Sequence, residues 1–439
     1  TVNGGELALG VTSQSVGAVV LNDGTISGGV LAGTDYLVKK GTVSSVLAGA
    51  AGLTKATGSE VVLSGVNTYV GATVLNAGRL VLGVDDSIRT TSGVTVNGGE
   101  LALGTTSQTV AALVMTGGVV SGGRLSASAF GVQSGSVSSI LAGTGALTKT
   151  GAGVVTLTGA NVYSGGTNVS GGSLIMGVGG LLPATGSVTV SGTGSLDLGG
   201  ADMTMGTVTL SGGTLLNGAF RGTSFTLNSG TIQGDLVGTA SANKVSPGLV
   251  ILNGEFRSTG DVNVFEGTLR LGASERLSDD ARLYINGGTF DMGNFSETVG
   301  RLRLRNANIV TGSSPGTLTA FIYELESGTI SGALSGGQGG LVKVSDGSAD
   351  GGVVVLTAPA NYSGLTGVDA GTLRLGVTNA LPVTTSLTVS GGVLDLGTYS
   401  HQVGSFTLAG GLVERGRLTV DAGTMEVRLG TVDAVLSGG

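Results

Sequence analysis

The sequence predicts an all-β chain wound as a right-handed parallel β-helix, and three observations lead there. Residues 1–83 recur without a gap at an offset of 94. Inside that repeat runs a shorter period of about 20 residues, each made of β-type runs broken by a glycine turn. Glycine accounts for 86 of the 439 residues while aromatic residues make up 4% and tryptophan and cysteine are absent. A chain with fixed-interval glycine corners and an aliphatic, ring-poor core fits a narrow solenoid.

The large repeat comes first in the chain. TVNGGELALG at Thr1–Gly10 returns identically as Thr95–Gly104, and VSSVLAG at Val43–Gly49 returns as Val137–Gly143 with Ile140 for Val46. A marker, G-x-L-x-L-G, sits at Gly78–Gly83 and, with Met176, at Gly172–Gly177, then at Gly267–Gly272 and Gly371–Gly376. Its intervals of 94, 95 and 104 residues divide the chain into four large units, about 1–94, 95–188, 189–285 and 286–439. The expectation is a single continuous β-helix over 1–439 without a globular insert, cut from a longer polypeptide. About 22 rungs at the usual strand spacing would make a rod on the order of 100 Å long.

Individual rungs follow one pattern: LNAGRLVLG at Leu75–Gly83, VNGGELALG at Val96–Gly104, VSGGVLDLG at Val389–Gly397. The flanking runs alternate. In Gly99-Glu100-Leu101-Ala102-Leu103 the two leucines share one side and Glu100 and Ala102 the other. In Val188-Thr189-Val190 and Leu387-Thr388-Val389 the threonine is predicted to face out. No helical period is evident, and a β-sandwich would not keep its turns at one interval over hundreds of residues.

Composition excludes several function classes. Charged residues are 11% of the chain, with 21 basic against 28 acidic, a net charge of −7. That balance argues against nucleic acid or an anionic membrane as partner. Without cysteine there is neither a disulfide framework nor a thiolate metal site, and a single histidine, His401, limits any His-based triad or cluster to one member. No apolar run is long enough to span a bilayer as a helix.

One stretch goes beyond periodicity. Leu147–Gly177 reads LTKTGAGVVTLTGANVYSGGTNVSGGSLIMG and closely resembles the passenger-associated transport repeat, also called the autotransporter-associated β-strand repeat. Lys149, Gly151, Gly153, Asn161, Tyr163, Gly165, Gly172 and Leu174 fall on that family's pattern. A second copy over Leu53–Gly83 keeps Lys55, Asn67, Tyr69 and Gly71, and a third over Leu341–Gly376 keeps Lys343, Asn361, Tyr362 and Gly364. The third carries an insertion around Asp346–Gly351 and sets its Asn and Tyr side by side. The copy expected near Val250–Gly272 has lost both.

The resemblance implies the passenger region of a type V secreted protein, displayed at the cell surface of a Gram-negative bacterium and exported through an outer-membrane translocator barrel beyond Gly439. It also implies a role for these repeats in transport and folding, without catalysis, cofactor or metal. The motif residues are therefore expected to be structural. Asn67 and Asn161 would stabilise turns, and Tyr69, Tyr163 and Tyr362 would cap corners with no aromatic neighbour to stack on. Lys55 and Lys149 would be solvated on a turn, and His401 would lie in an exposed one. Asp197, Asp291 and Asp395 recur in separate rungs and cannot form a catalytic carboxylate pair. Asp85-Asp86 and Asp279-Asp280 read as solvated turn pairs. The expected function is a stalk or adhesin whose partner is a glycan or protein of a host or cell surface. A self-associating filament or matrix protein of the same fold is the alternative, and a polysaccharide-degrading β-helix comes third.

Overall fold

A computed structural model describes residues 1–312, 316–421 and 423–438. Among them there is no α-helix; the regular elements are short strands, and the paired strands run parallel. The chain divides into two compact units, Thr1–Arg221 and Gly222–Gly439, and each is a β-solenoid.

In the first unit one ladder can be followed rung by rung. Val19 pairs with Tyr36, then Leu53, Thr73, Val94, Leu113, Phe130, Leu147, Thr167, Val188 and Val208. The steps run from 17 to 21 residues and repeat in order, so the 94-residue offset from Tyr36 to Phe130 is five rungs. In the second unit the corresponding ladder runs Phe225, Ala242, Val262, Leu283, Leu302, Tyr323, Leu341, Thr366, Leu387, Phe406, Met425. Its longest step, 25 residues from Leu341 to Thr366, absorbs the insertion that interrupts the third motif copy.

Alternation places the core. Val188 and Val190 are buried around a half-buried Thr189, and Leu387 and Val389 are buried around an exposed Thr388. Leu101 and Leu103 point inward as the pattern predicts, but Ala102 on the opposite side is also covered. Rungs stacked about 4.8 Å apart leave side chains only the width of one solenoid interior, which aliphatic residues fill. Corner glycines are needed where two rungs touch. At Gly99, φ is +75° and an added Cβ would lie 2.3 Å from the carbonyl oxygen of Gly78 on the rung below. A side chain is excluded there both by the left-handed backbone and by the neighbour.

Candidate functional site

The motif side chains, Asn361 excepted, lie inside the solenoid, and that corrects two expectations. Lys55 and Lys149 are fully buried, as are Lys244 and Lys343. The alternation that turns Leu53 and Leu147 inward turns the lysine two residues later inward as well. Lys55 stands in an aliphatic column between Val38 and Leu75, and Lys149 between Val132 and Val169. In the second unit Lys244 stands between Leu227 and Val264, and Lys343 between Leu325 and Val368. Within each unit the two lysines are five rungs apart.

Each ammonium is held by corner carbonyls. Lys149 Nζ donates to Thr150 O at 2.9 Å, Gly151 O at 2.9 Å and Gly171 O of the next rung at 2.7 Å. Lys343 Nζ donates to Val344 O, to Gly351 O at 2.9 Å and to Ala370 O at 3.0 Å. Lys55 reaches Thr57 O and Ala77 O, and Lys244 reaches Ser246 O and Glu266 O. Among the described residues none of the four forms a salt bridge. Burial pushes all four amines below their ordinary value, Lys343 to about 8.

Corner length accounts for their placement. The corner after Lys149 is Thr150–Gly153, four residues, followed in the next rung by the three of Ser170–Gly172. The same four-then-three order follows Lys55 and Lys244, and after Lys343 the corner grows to Val344–Gly352. A wide corner stacked on a narrow one leaves carbonyls short of amide partners, although Gly351 O also accepts from Asp346 N at 3.2 Å, and the ammonium supplies further donors. Ser191–Gly194 after Val190 is as wide and has no lysine; nothing in the structure explains that exception.

The marker glycine belongs to the same device. A Cβ at Gly172 would meet Lys149 Nζ at 2.7 Å, and one at Gly371 would meet Lys343 Nζ at 2.3 Å.

Asn67 and Asn161 are buried and tie their rung to both neighbours. Asn67 Oδ1 accepts from Leu47 N at 2.8 Å while its Nδ2 donates to Ser87 O at 2.7 Å. Asn161 accepts from Leu141 N at 3.0 Å and donates to Gly159 O and Leu181 O, both at 2.9 Å. In the third copy Asn361 is exposed, and the inward position two residues before the tyrosine is taken by Ala360. The shift of one residue moved the Asn to the other side of the backbone.

Tyr69, Tyr163 and Tyr362 are core residues and not caps on a corner. Each hydroxyl bonds the threonine four residues on, Thr73, Thr167 and Thr366, at 2.6 to 2.7 Å. Each also has an aromatic neighbour, contrary to the sequence expectation. Tyr36, Phe130 and Tyr323 pack against them with centroids 6.1, 5.8 and 5.9 Å apart. Gly71 and Gly165 allow the chain to cross tightly, since an added Cβ would lie 2.4 Å from Gly52 N and 2.3 Å from Ala146 N respectively. Gly364 offers its carbonyl to the Thr385 hydroxyl at 3.0 Å.

The remaining ionisable groups are structural too. Asp197, Asp291 and Asp395 each accept the amide two residues on, Gly199, Gly293 and Gly397, at 2.8 to 2.9 Å. Asp291 also pairs with Arg270, and Asp395 with Arg374 and Arg415. Asp85, Asp86, Asp279 and Asp280 are exposed on turns. His401 is buried, a correction to the exposed turn expected; its Nε2 meets Leu396 O at 3.2 Å and burial pushes its pKa down. Glu297 was not singled out in the sequence. Its carboxyl is buried, accepts from Arg276 N at 2.8 Å and Leu277 N at 3.0 Å, and is pushed up to about 7 by desolvation. Among the described residues no group of three or more His, Cys, Asp or Glu could hold a metal ion.

The outward surface is where the two units differ. Four of the 15 arginines lie in the first unit and 11 in the second. All five outward-lying rings, Phe265, Tyr284, Phe295, Phe321 and Tyr399, are in the second.

A family model described as the passenger-associated transport repeat matches residues 53–82, 147–176 and 349–375. Adhesin BmaC autotransporter of Brucella suis biovar 1 (strain 1330) is 36% identical over 156 residues, 35% of this chain and 4% of that protein. The chain therefore spans a small part of the curated relative it matches. No solved structure matches it. The chain carries passenger-associated transport repeats on a β-solenoid and is similar in sequence to an autotransporter adhesin. Lys244 and Lys343 fall outside the matched segments, yet both sit in the same carbonyl cages as Lys55 and Lys149.

Proposed function

We propose that this chain is a stalk and adhesive segment of an exported surface protein, anchored through an outer-membrane translocator in a Gram-negative cell, and not an enzyme. The observation that carries the reading is the fate of the repeat motif. Its lysines, its tyrosines and the asparagines of the first two copies are spent inside the solenoid, the lysines and asparagines on bonds to neighbouring rungs and the tyrosines on the threonine four residues on, which leaves the outer faces free to vary. The matched repeats and the similarity to a protein named an adhesin support the same reading. The aspartates that recur along the chain are engaged in turns and ion pairs, which speaks against their use as a general acid and base.

The test is display. The chain fused to an outer-membrane translocator is expressed in a non-adherent bacterium, and attachment to epithelial monolayers is counted. The expected result is attachment that rises with the amount displayed and is blocked by the soluble chain. Surface display without any gain in attachment to cells or to extracellular-matrix coatings would refute the adhesive part.

A further inference from the structure

In the second unit, one patch of the outer surface sets unpaired polar groups beside an exposed ring. Outward residues on neighbouring rungs usually satisfy one another. Asn22 donates to Asn3, Asn97 to Asn76 and Asn263 to Asn243, at 2.6 to 2.9 Å. Tyr284 and Asn286 take no part in such pairs. Tyr284 follows Asn263 in one outward column and is followed by Arg303 and Glu324. Asn286 lies two residues along the same strand and pairs with Arg305. The Tyr284 hydroxyl and the Asn286 amide make no hydrogen bond among the described residues, and Phe265 beside them is 44% exposed.

These groups line a depression of about 210 Å³ formed by Phe265, Tyr284, Ile285, Asn286, Arg303 and Arg305. Asn286 and Arg305 also line a second, more open depression bounded by Asn306, Asp346, Gly347 and Ser348. The two share those residues and form one groove. Its far rim is the insertion that interrupts the third motif copy, held in place by Arg305 Nη2 donating to Asp346 O at 2.9 Å.

We propose that this groove binds a neutral, extended oligosaccharide. An exposed ring beside a phenol gives an apolar platform for a sugar face. The free amide and hydroxyl, with the planar edges of Arg303 and Arg305, supply donors and acceptors for sugar hydroxyls. The outward columns repeat at the rung spacing of about 4.8 Å, close to the length of one sugar unit in a β-linked chain. Charge selects the neutral class. Arg303 is paired with Glu324 and Glu326, Arg305 with Glu326, and Asp346 stands on the rim. An anionic chain would find no uncompensated positive charge there.

The inference rests on the adhesive reading but is tested apart from it, with the soluble 439-residue chain. Fluorescently labelled cellohexaose, xylohexaose, maltohexaose and N-acetylchitohexaose are titrated, with a heparin hexasaccharide as the anionic control. At least one neutral hexamer is expected to bind, with affinity falling about tenfold or more in Tyr284→Ala and in Asn286→Ala. Tyr399→Ala, outside the groove, should bind as the parent does, and all three variants should keep the parent's circular dichroism. Failure of every neutral hexamer to bind would overturn the proposal. So would preference for the heparin fragment, or binding unchanged in both groove variants. Cells that adhere while the soluble chain ignores the neutral hexamers would leave the adhesive reading intact and remove this one.

Discussion

Replacing Lys149 by methionine separates two opposed effects of a buried ammonium. Methionine fills nearly the same volume and relieves the desolvation of an unpaired charge, which in a protein interior amounts to several kcal/mol. It also removes the donor for Thr150 O, Gly151 O and Gly171 O. Hydrogen bonds to a charged group contribute about 1.5–3 kcal/mol each, so three of them outweigh the desolvation. Water at the half-open corner can replace part of that loss, and the balance is a destabilisation of about 2–3 kcal/mol. Repeat arrays lose stability locally, so the effect belongs to the rungs that share the cage. Hydrogen exchange followed by mass spectrometry should show peptides over 147–157 and 167–176 exchanging roughly 30- to 150-fold faster. Peptides over 19–38, several rungs away in the same unit, should be unchanged. Equal or slower exchange at the cage in Lys149→Met would refute the argument that the carbonyls hold the charge in place.

Four further outcomes follow from the same geometry. Burial lowers the Lys343 amine from 10.5 to about 8, so the unfolded chain binds the extra proton between those values. Local stability around Leu341–Val368 should therefore rise from pH 8 toward 10.5, and this slope should vanish in Lys343→Met when exchange is compared across that range. Glu297 is raised from 4.5 to about 7. Its contribution is complete below pH 4.5 and lost as pH rises through 7, so urea unfolding of the parent should weaken over that window, and less so in Glu297→Gln. Gly172→Ala forces a Cβ to within 2.7 Å of Lys149 Nζ at a φ of +61° and should destabilise its rungs by about 2 kcal/mol or more, read by the same exchange experiment. Asn161→Ala unties Leu141 N and Leu181 O and should cost about 2–3 kcal/mol, with the Leu141 amide losing its protection first.

Rung length, corner glycines and the inward side of each strand were legible because a solenoid writes its geometry directly into a sequence period. The five-rung composition of the 94-residue repeat needed the pairing itself, since rungs of unequal length, from 17 to 21 residues, follow one another within it. A charge is costly to bury, which is why Lys55 and Lys149 were expected in solvent. The alternation from Leu53 to Lys55 already pointed the lysine inward, and the wide corner beyond it gave a reason. The partner rings Tyr36 and Phe130 lie outside the motif and reach Tyr69 and Tyr163 only through the stacking of rungs. His401 misled because its neighbours Ser400 and Gln402 are polar, yet in a strand they face the other way. The groove along Phe265–Ser348 was invisible as a unit: its residues come from four segments that only the parallel register brings side by side.

The most direct test of the account is protease shaving of intact cells that express the native polypeptide, with the released peptides identified by mass spectrometry. Exported display predicts peptides from exposed corners such as Asp85-Asp86 and Ser345–Asp350 without lysis. Peptides from residues 1–439 appearing only after the cells are broken would contradict it.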